Sequence, residues 1–359
     1  MELLNKEEEK AWSLFTSGLG YCPPQYLIDW MKCISRSYKN CEALYYIKKE
    51  KGVVKWIFPF FLVKSRIFGD RIISQPFIDF GGPLGEIGED SIKDIIEDVR
   101  CRFAGNIRHI EIRLNNFIPE YNTIESSLIQ NGFIKEMKRH QFILKLEEEQ
   151  IMWEKFTRIT RKGIKKAKKS GLILKEINDE GELGRFYELY LKSMKDFGTP
   201  QHSYGFFVNF LNYMKESFRG LNCYKDGKLI GSLIVFYSNS YMYAAYNFSE
   251  HDYLIHQPND ILYWEMITWA VKRGIKVFDF GQCEINAKEG SHAAGIYKFK
   301  SKWNGILYER PYFYYSFGDN EKKEPEEKSK FKKMIGVWRN LPAPLIKSIG
   351  PKIASQLAL

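Results

Sequence analysis

A few side chains in this sequence have the type and placement for chemistry on a charged or acyl substrate. Asp279 closes an apolar stretch, residues 275–280, just before Gly281. A carboxylate at the end of a strand can accept an amine proton or orient a neighbour. It can equally cap a turn by accepting nearby backbone N–H groups. Gly281 suits a tight turn or the close approach of a substrate. Arg161 and Lys165 lie one helical turn apart, the arginine a planar fork and the lysine a point charge, a pairing that suits phosphate. The alternative for both is a solvated helix face. Lys300 belongs to the run Lys298, Lys300 and Lys302, which chemistry alone reads as surface lysines.

Other chemistries find less support. His202, His251, His256 and His292 lack the H-E-x-x-H spacing of a metal pair, so structural or loop roles are expected and no metal. No G-x-S-x-G nucleophile elbow occurs. Tyr241, Tyr243 and Tyr246 share a strand, where strict alternation puts the first two on one face and Tyr246 on the other. Core packing accounts for all three, with Tyr246 the one that reaches a cleft.

These residues need elements to hold them. Residues 42–48 and 53–63 read as strands around a turn at Lys51-Gly52. Residues 91–103 form an amphipathic helix capped by Ser91, and 107–114 a further strand. The order strand, strand, helix, strand returns at 220–224, 229–237, 258–273 and 275–280, with the meander strand 241–247 between. This repetition of order favours two similar lobes over one large sheet. The fold class expected is α/β (α+β), with two tandem lobes of mixed, mostly antiparallel sheet flanked by helices. The first spans 1–150 and the second, carrying the main site, 151–318. A polar linker at 319–330 leads to a cationic amphipathic segment, 331–359, whose prolines interrupt any long helix.

The chain has 359 residues, 44% hydrophobic and 16% aromatic, enough for packed cores, which excludes wholesale disorder. Its net charge of +10 is local. Residues 153–171, read as one basic helix, hold eight Lys/Arg against one Glu; residues 328–359 hold seven and no acid. Such confinement points to local anion binding. The six cysteines form no C-x-x-C pair and read as reduced thiols. The charged N-terminus does not resemble a signal peptide, and no apolar run is long enough to span a membrane. A cytoplasmic chain is expected, peripheral on the inner membrane face if residues 331–359 dock there. In that segment Phe331, Met334, Ile335, Trp338, Leu341, Leu345, Ile346 and Ile349 accompany the cations. Packing against the second lobe is the alternative.

The order of short motifs resembles the FemAB-like branch of the GNAT superfamily. Residues 153–171, W-E-K-F-T-R-I-T-R-K-G-I-K-K-A-K-K-S-G, look like the family's basic segment. Gly198-Thr199-Pro200, Gln257-Pro258-Asn259 and Phe278-Asp279-Phe280-Gly281 follow in the family's order. So do Gly295 to Lys300 and Trp303-Asn304-Gly305. Ser74 to Pro83 and Trp338 to Pro342 resemble a subgroup that accompanies exosortase and surface-polysaccharide systems. The resemblance implies tandem GNAT-type lobes and transfer of an aminoacyl or acyl group to an amine of a cell-envelope precursor. The precursor would be a peptidoglycan or amino-sugar intermediate bearing phosphate or pyrophosphate. It also implies that Lys300, beside Phe299, meets phosphate or the developing oxyanion, where a cation offsets charge.

Two family features are missing from the sequence: the helical hairpin of members that use charged tRNA, and the Q/R-x-x-G-x-G/A loop that holds acetyl-CoA pyrophosphate. The donor, aminoacyl-tRNA or acyl-CoA, stays open, with no tightly bound cofactor expected. Lys300 and Asp279 are the catalytic candidates. Phe299, Arg161, Lys165, Tyr246 and Gly281 are the substrate-binding ones. Acetyl-CoA-dependent N-acetylation, and a non-catalytic tRNA-binding or scaffold protein, are the competing readings.

Overall fold

Apolar strands that meet at Lys51-Gly52 and Asp226-Gly227 build two hairpins. Each turn places a non-glycine residue and a glycine at positive φ, the twist that tight hairpins need. The computed structural model describes residues 4–103, 105–317, 338 and 341–358, except the side chains of Lys138 and Ala343. Its strands are β1 (Cys41–Glu50), β2 (Val53–Val63), β3 (Asp70–Ile73), β4 (Leu84–Gly85), β5 (Ile107–Arg113) and β6 (Ile134–Lys145). They continue with β7 (Ile173–Glu176), β8 (Phe218–Lys225), β9 (Lys228–Tyr237), β10 (Tyr241–Ser249), β11 (Val277–Cys283) and β12 (Ile306–Ser316).

These strands form one continuous sheet, ordered β1-β2-β3-β5-β12-β6-β11-β10-β9-β8-β7, with β4 beside β2. The repeated order seen in sequence is real in space, but it does not produce two separate sheets. In each half an antiparallel hairpin leads to a parallel pair, β3 with β5 and β10 with β11. Each parallel pair is then closed by a strand from the other half of the chain. β12 pairs with β5, β6 pairs with β11, and the two closing strands pair with each other. That exchange fuses the halves.

Helices α1 (Lys6–Gly18), α2 (Ile28–Ser37), α3 (Glu89–Phe103), α4 (Tyr121–Gln130), α5 (Glu149–Lys155) and α6 (Arg158–Lys169) cover the sheet, followed by α7 (Glu180–Phe197), α8 (Tyr204–Tyr213), α9 (Pro258–Lys272), α10 (His292–Ser301) and α11 (Ala343–Leu357). One core joins both halves: Trp12, Trp30 and Phe210 meet Phe236 and Tyr241 on one face of the sheet. On the opposite face α6 and α9 pack Ile164, Ala167 and Trp264 on Phe278 and Phe280, while α3 and α4 cover the first half.

Three expectations change. The basic helix is two helices, because Phe156 is extended and the Thr157 side chain caps α6 by accepting from Thr160 N–H. α3 starts at Glu89, so Ser91 lies inside it. The C-terminal prolines do not prevent a 15-residue helix. Pro344 falls in the first turn, where its missing N–H has no partner to lose, and Pro351 is accommodated within.

That helix lies against the body. Gln201 Nε2 donates to Ile346 O at 2.7 Å, and a Cβ on Gly350 would fall 2.2 Å from Gln201 Oε1. Beyond it, Arg71 and Arg113 donate to Gln356 O and Ala358 O at 2.8 and 3.0 Å. Of the apolar residues considered for membrane docking, Trp338 and Ile346 are buried, Leu341 and Ile349 half-buried, and Leu345 exposed. Phe331, Met334, Ile335 and the 319–330 linker lie outside the described residues.

Candidate active site

The parallel pair in the second half opens into a wedge. β10 and β11 pair only over Tyr241–Tyr243 against Val277–Asp279. Beyond that point β10 follows β9 with a register shift between Ala244 and Tyr246, and β11 follows β6 with a shift between Asp279 and Gln282. Strands that part in this way present backbone N–H and C=O groups toward an extended, amide-bearing ligand.

Gly281 sits at the mouth of the wedge with φ of 73°, a conformation that costs an L-residue about 1–2 kcal/mol. Space is equally restrictive. A Cβ there would lie 3.2 Å from both Ala244 O and Asp79 Oδ2, and 3.5 Å from Lys300 Nζ. Asp79 and Lys300 therefore face the same small volume, although 221 residues separate them. Gly281→Ala is expected to destabilise the fold by about 1–2 kcal/mol, read as a lower denaturant midpoint. An unchanged midpoint would mean that the turn relaxes freely.

Asp279 is wholly buried. Its carboxylate accepts from Tyr241 Oη at 2.6 Å and from Gly281 N–H at 2.8 Å. It thus holds the turn that the glycine makes and lies beneath the site. Burial pushes its pKa up to about 6, against the pull of those two donors, and repulsion from Asp79 adds to the rise. The folded state therefore binds this proton more tightly than the unfolded chain does. Between roughly pH 4 and 6 stability should fall as pH rises, the ionised form costing on the order of 3 kcal/mol at neutral pH at about 1.4 kcal/mol per pH unit. Comparing wild type with Asp279→Asn should show a stability difference that changes across that interval. A pH-independent difference would contradict the burial argument.

Asp79, from the loop after β3, supplies the carboxylate nearest the wedge. It accepts from Gln282 N–H at 2.7 Å and approaches Arg310 Nη1 at 3.4 Å. Lys300, half-buried on α10, donates to Gln282 O at 2.8 Å and keeps two further N–H donors. Burial lowers its pKa, with Asp79 opposing the shift most strongly.

Tyr246 lies on the same face as Tyr241 and Tyr243, because the bulge after Ala244 inserts a residue and reverses the alternation. Its ring meets His202 at 6.1 Å. His202 stacks on Phe206 at 4.1 Å, and its Nδ1 hydrogen-bonds the Tyr38 hydroxyl at 2.6 Å. Burial lowers the His202 pKa to about 3, so the ring is neutral. Beyond Tyr38 opens a cleft of about 630 Å³, lined by Lys39, Lys64, Arg66 and Lys352, with Asp70 the one acid in its lining.

The remaining sequence candidates lie elsewhere. Phe299 packs on Tyr263 and Trp303 at 5.1 and 6.1 Å, in the core behind the sheet. Arg161 donates to Trp153 O and Glu154 O, the open carbonyls at the end of α5. Lys165 Nζ lies 5.8 Å over the Trp153 ring. Both belong to α6, which packs on the face opposite Asp279. The helix break at Phe156 brings α5 within Arg161's reach, so Arg161 Nη1 is engaged by two carbonyls of the same chain.

The N-terminus of α9, which follows the bulged strand, is also taken. Pro258 lacks an N–H, Asn259 bonds Asn247 and Ser249, and buried Asp260 pairs with Lys302 at 2.7 Å. Gly163 of α6 presses on it so closely that a Cβ would fall 2.4 Å from Asp260 Oδ1. An acid in the first turn satisfies the positive helix end and leaves it poorly suited to a pyrophosphate. Among the described residues no cluster of His, Cys, Asp and Glu could hold a metal ion, and no helix is long and apolar enough to cross a membrane.

Comparison with known proteins agrees with this fold. Residues 154–300 match the acetyltransferase (GNAT) domain family. Over 82 residues the chain is 34% identical to the lipid II:glycine glycyltransferase of Staphylococcus haemolyticus (strain JCSC1435), covering 23% of this chain and 19% of that protein. A Staphylococcus epidermidis protein of the same name is 32% identical over a stretch of the same length, 23% of this chain and 20% of that one. The chain thus spans about a fifth of the curated relatives it matches. The crystal structure of FemX superposes with a TM-score of 0.72 at 13% identity, covering 92% of this chain and 99% of FemX. A tandem GNAT protein from the clavulanic acid biosynthesis pathway gives 0.53 at 11% identity, covering 87% and 94%. Residues 154–300 thus carry a GNAT domain around the wedge, and the chain has the FemX fold over nearly its whole length.

Proposed function

We propose that the chain is an enzyme that transfers an aminoacyl or acyl group onto an amine of a cell-envelope precursor, at the wedge between β10 and β11. The carrying observation is that Asp79 and Lys300 converge on the space over Gly281, where the strands part. The donor's acyl chain would lie along the parted strands as an added extended segment. The acceptor amine attacks the acyl carbon and Asp79 takes its proton. The carbonyl oxygen gains the negative charge, and Lys300 Nζ meets it. Collapse breaks the bond to the donor's oxygen or sulfur, which leaves with a proton. No covalent enzyme intermediate is needed.

The precursor's phosphate or pyrophosphate suits the cationic cleft beyond Tyr38, in place of the Arg161 and Lys165 site expected from sequence. The curated relatives carry the name lipid II:glycine glycyltransferase, which favours a peptidoglycan intermediate over an amino-sugar one. An aminoacyl-tRNA donor is favoured over acyl-CoA, because the occupied N-terminus of α9 offers little to a pyrophosphate. These donors place the reaction in the cytoplasm, next to the membrane if the acceptor is lipid-linked.

The test offers charged tRNA, acetyl-CoA and longer acyl-CoAs with peptidoglycan and amino-sugar precursors, read as a mass shift of the acceptor. Aminoacylation of a peptidoglycan precursor is the expected result. Acetylation alone would establish the acetyl-CoA reading. Salt-dependent tRNA binding without any acceptor modified would establish a binding protein.

A further inference from the structure

Arg310 is the least explained charge in the molecule. It lies on β12 immediately before Pro311, where the pairing with β6 shifts register. Proline cannot donate to a ladder, and the irregularity accompanies a guanidinium turned into the interior. The side chain is wholly buried, and among the described residues its Nε, Nη1 and Nη2 atoms make no hydrogen bond. Its Cζ lies 5.8 Å from the centre of the Phe80 ring. Its single ion pair among the described residues is Nη1 with Asp79 Oδ2 at 3.4 Å. A buried cation needs a counter-charge, and here that counter-charge is the carboxylate at the wedge.

We propose that Arg310 is a positioning residue for transfer and acts through Asp79. This rests on the transfer reading of the wedge. Asp79 is held by the Gln282 N–H on β11 and by Arg310 on β12, with the Tyr243 hydroxyl also interacting with it. Together they fix which way the carboxylate faces the space over Gly281. The other charged or titratable groups coupled to Asp79 are Lys300 on α10, Asp279 and Cys283 on β11, and Tyr243 and Tyr246 on β10. Of these only Lys300 is another cation, and it points its amine at the wedge mouth. Arg310 is the one that anchors Asp79 from behind.

The bonding pattern makes the proposal specific. None of the three guanidinium nitrogens hydrogen-bonds Asp79, so no fork geometry is used. A lysine, which supplies a point charge, should therefore serve. If the guanidinium instead recognised a substrate carboxylate by its fork, lysine would fail.

The experiment compares transfer kinetics of wild type, Arg310→Lys, Arg310→Gln, Asp79→Asn and the Asp79→Asn/Arg310→Gln double variant. Arg310→Gln should lower kcat about tenfold or more with the donor KM within about twofold, and Arg310→Lys should restore kcat to within about threefold. In the Asp79→Asn background the Arg310→Gln change should alter kcat by less than about twofold. The double variant carries no uncompensated charge of this pair, so it reads the coupling even where Arg310→Gln folds poorly. Melting midpoints of the four substituted proteins read the pairing independently of turnover, and the double variant should be no less stable than Arg310→Gln.

Losses that multiply in the double variant, or an Arg310→Lys protein as impaired as Arg310→Gln, would overturn the proposal. A wild-type chain that transfers nothing to any acceptor removes the transfer reading itself, whatever the melting midpoints show of the pairing.

Discussion

Lys300→Ala is expected to lower the transfer rate by about 10²–10³-fold, the loss typical of removing one donor from an oxyanion site. The fall should appear in kcat, because the interaction strengthens as charge develops on the carbonyl oxygen. The fold should survive. Lys300 is half-buried at the end of α10, and its one hydrogen bond, to Gln282 O, leaves a carbonyl that water can reach. Circular dichroism and a melting curve check that point, and steady-state kinetics check the rate. Full activity in this variant would remove Lys300 from the mechanism.

Asp79→Asn should be comparably severe, about 10²–10⁴-fold in kcat, the range for loss of a positioned general base. Asparagine keeps the shape and can still accept the Gln282 N–H, so binding of donor and acceptor should change little. Raising the pH should partly rescue this variant, since an acceptor amine that is already neutral needs less help with its proton. The same rescue should be weaker for Lys300→Ala. Equal pH profiles for the two variants would argue against separate roles at the wedge.

Much of the fold was readable because the hairpins depend on local signals. Lys51-Gly52 and Asp226-Gly227 set their turns, and short apolar runs mark the strands that flank them. The exchange of β6 and β12 between halves was not readable. It depends on pairings between residues as distant as Ile143 and Ile306, which leave no periodic trace. Asp279 and Gly281 were singled out by the way an apolar strand ends, and Lys300 by its motif. The structure brings all three to one place and assigns Asp279 to holding the turn.

Three departures share a cause, which is irregularity inside an element. One inserted residue after Ala244 moved Tyr246 to the other face. A break at Phe156 gave Arg161 to the carbonyls of α5. A shift at Pro311 turned Arg310 inward. Asp79 was hidden differently. It lies in a loop among aromatic residues and glycines, and nothing near it in sequence shows that Gln282 and Lys300 will close around it. The quoted run Ser74 to Pro83 was the available signal, read as resemblance and not as chemistry.

The most direct test asks where the acyl group sits. A stable amide-linked aminoacyl-nucleoside, carrying a photoreactive group on its acyl chain, can be cross-linked to the protein and mapped by mass spectrometry of peptides. Labelling is expected on the parted strands, residues 244–247 and 281–283, and should be lost when an excess of unmodified analogue is added. Labelling confined to the cationic cleft beyond Tyr38, or to the basic face of α6, would contradict transfer at the wedge.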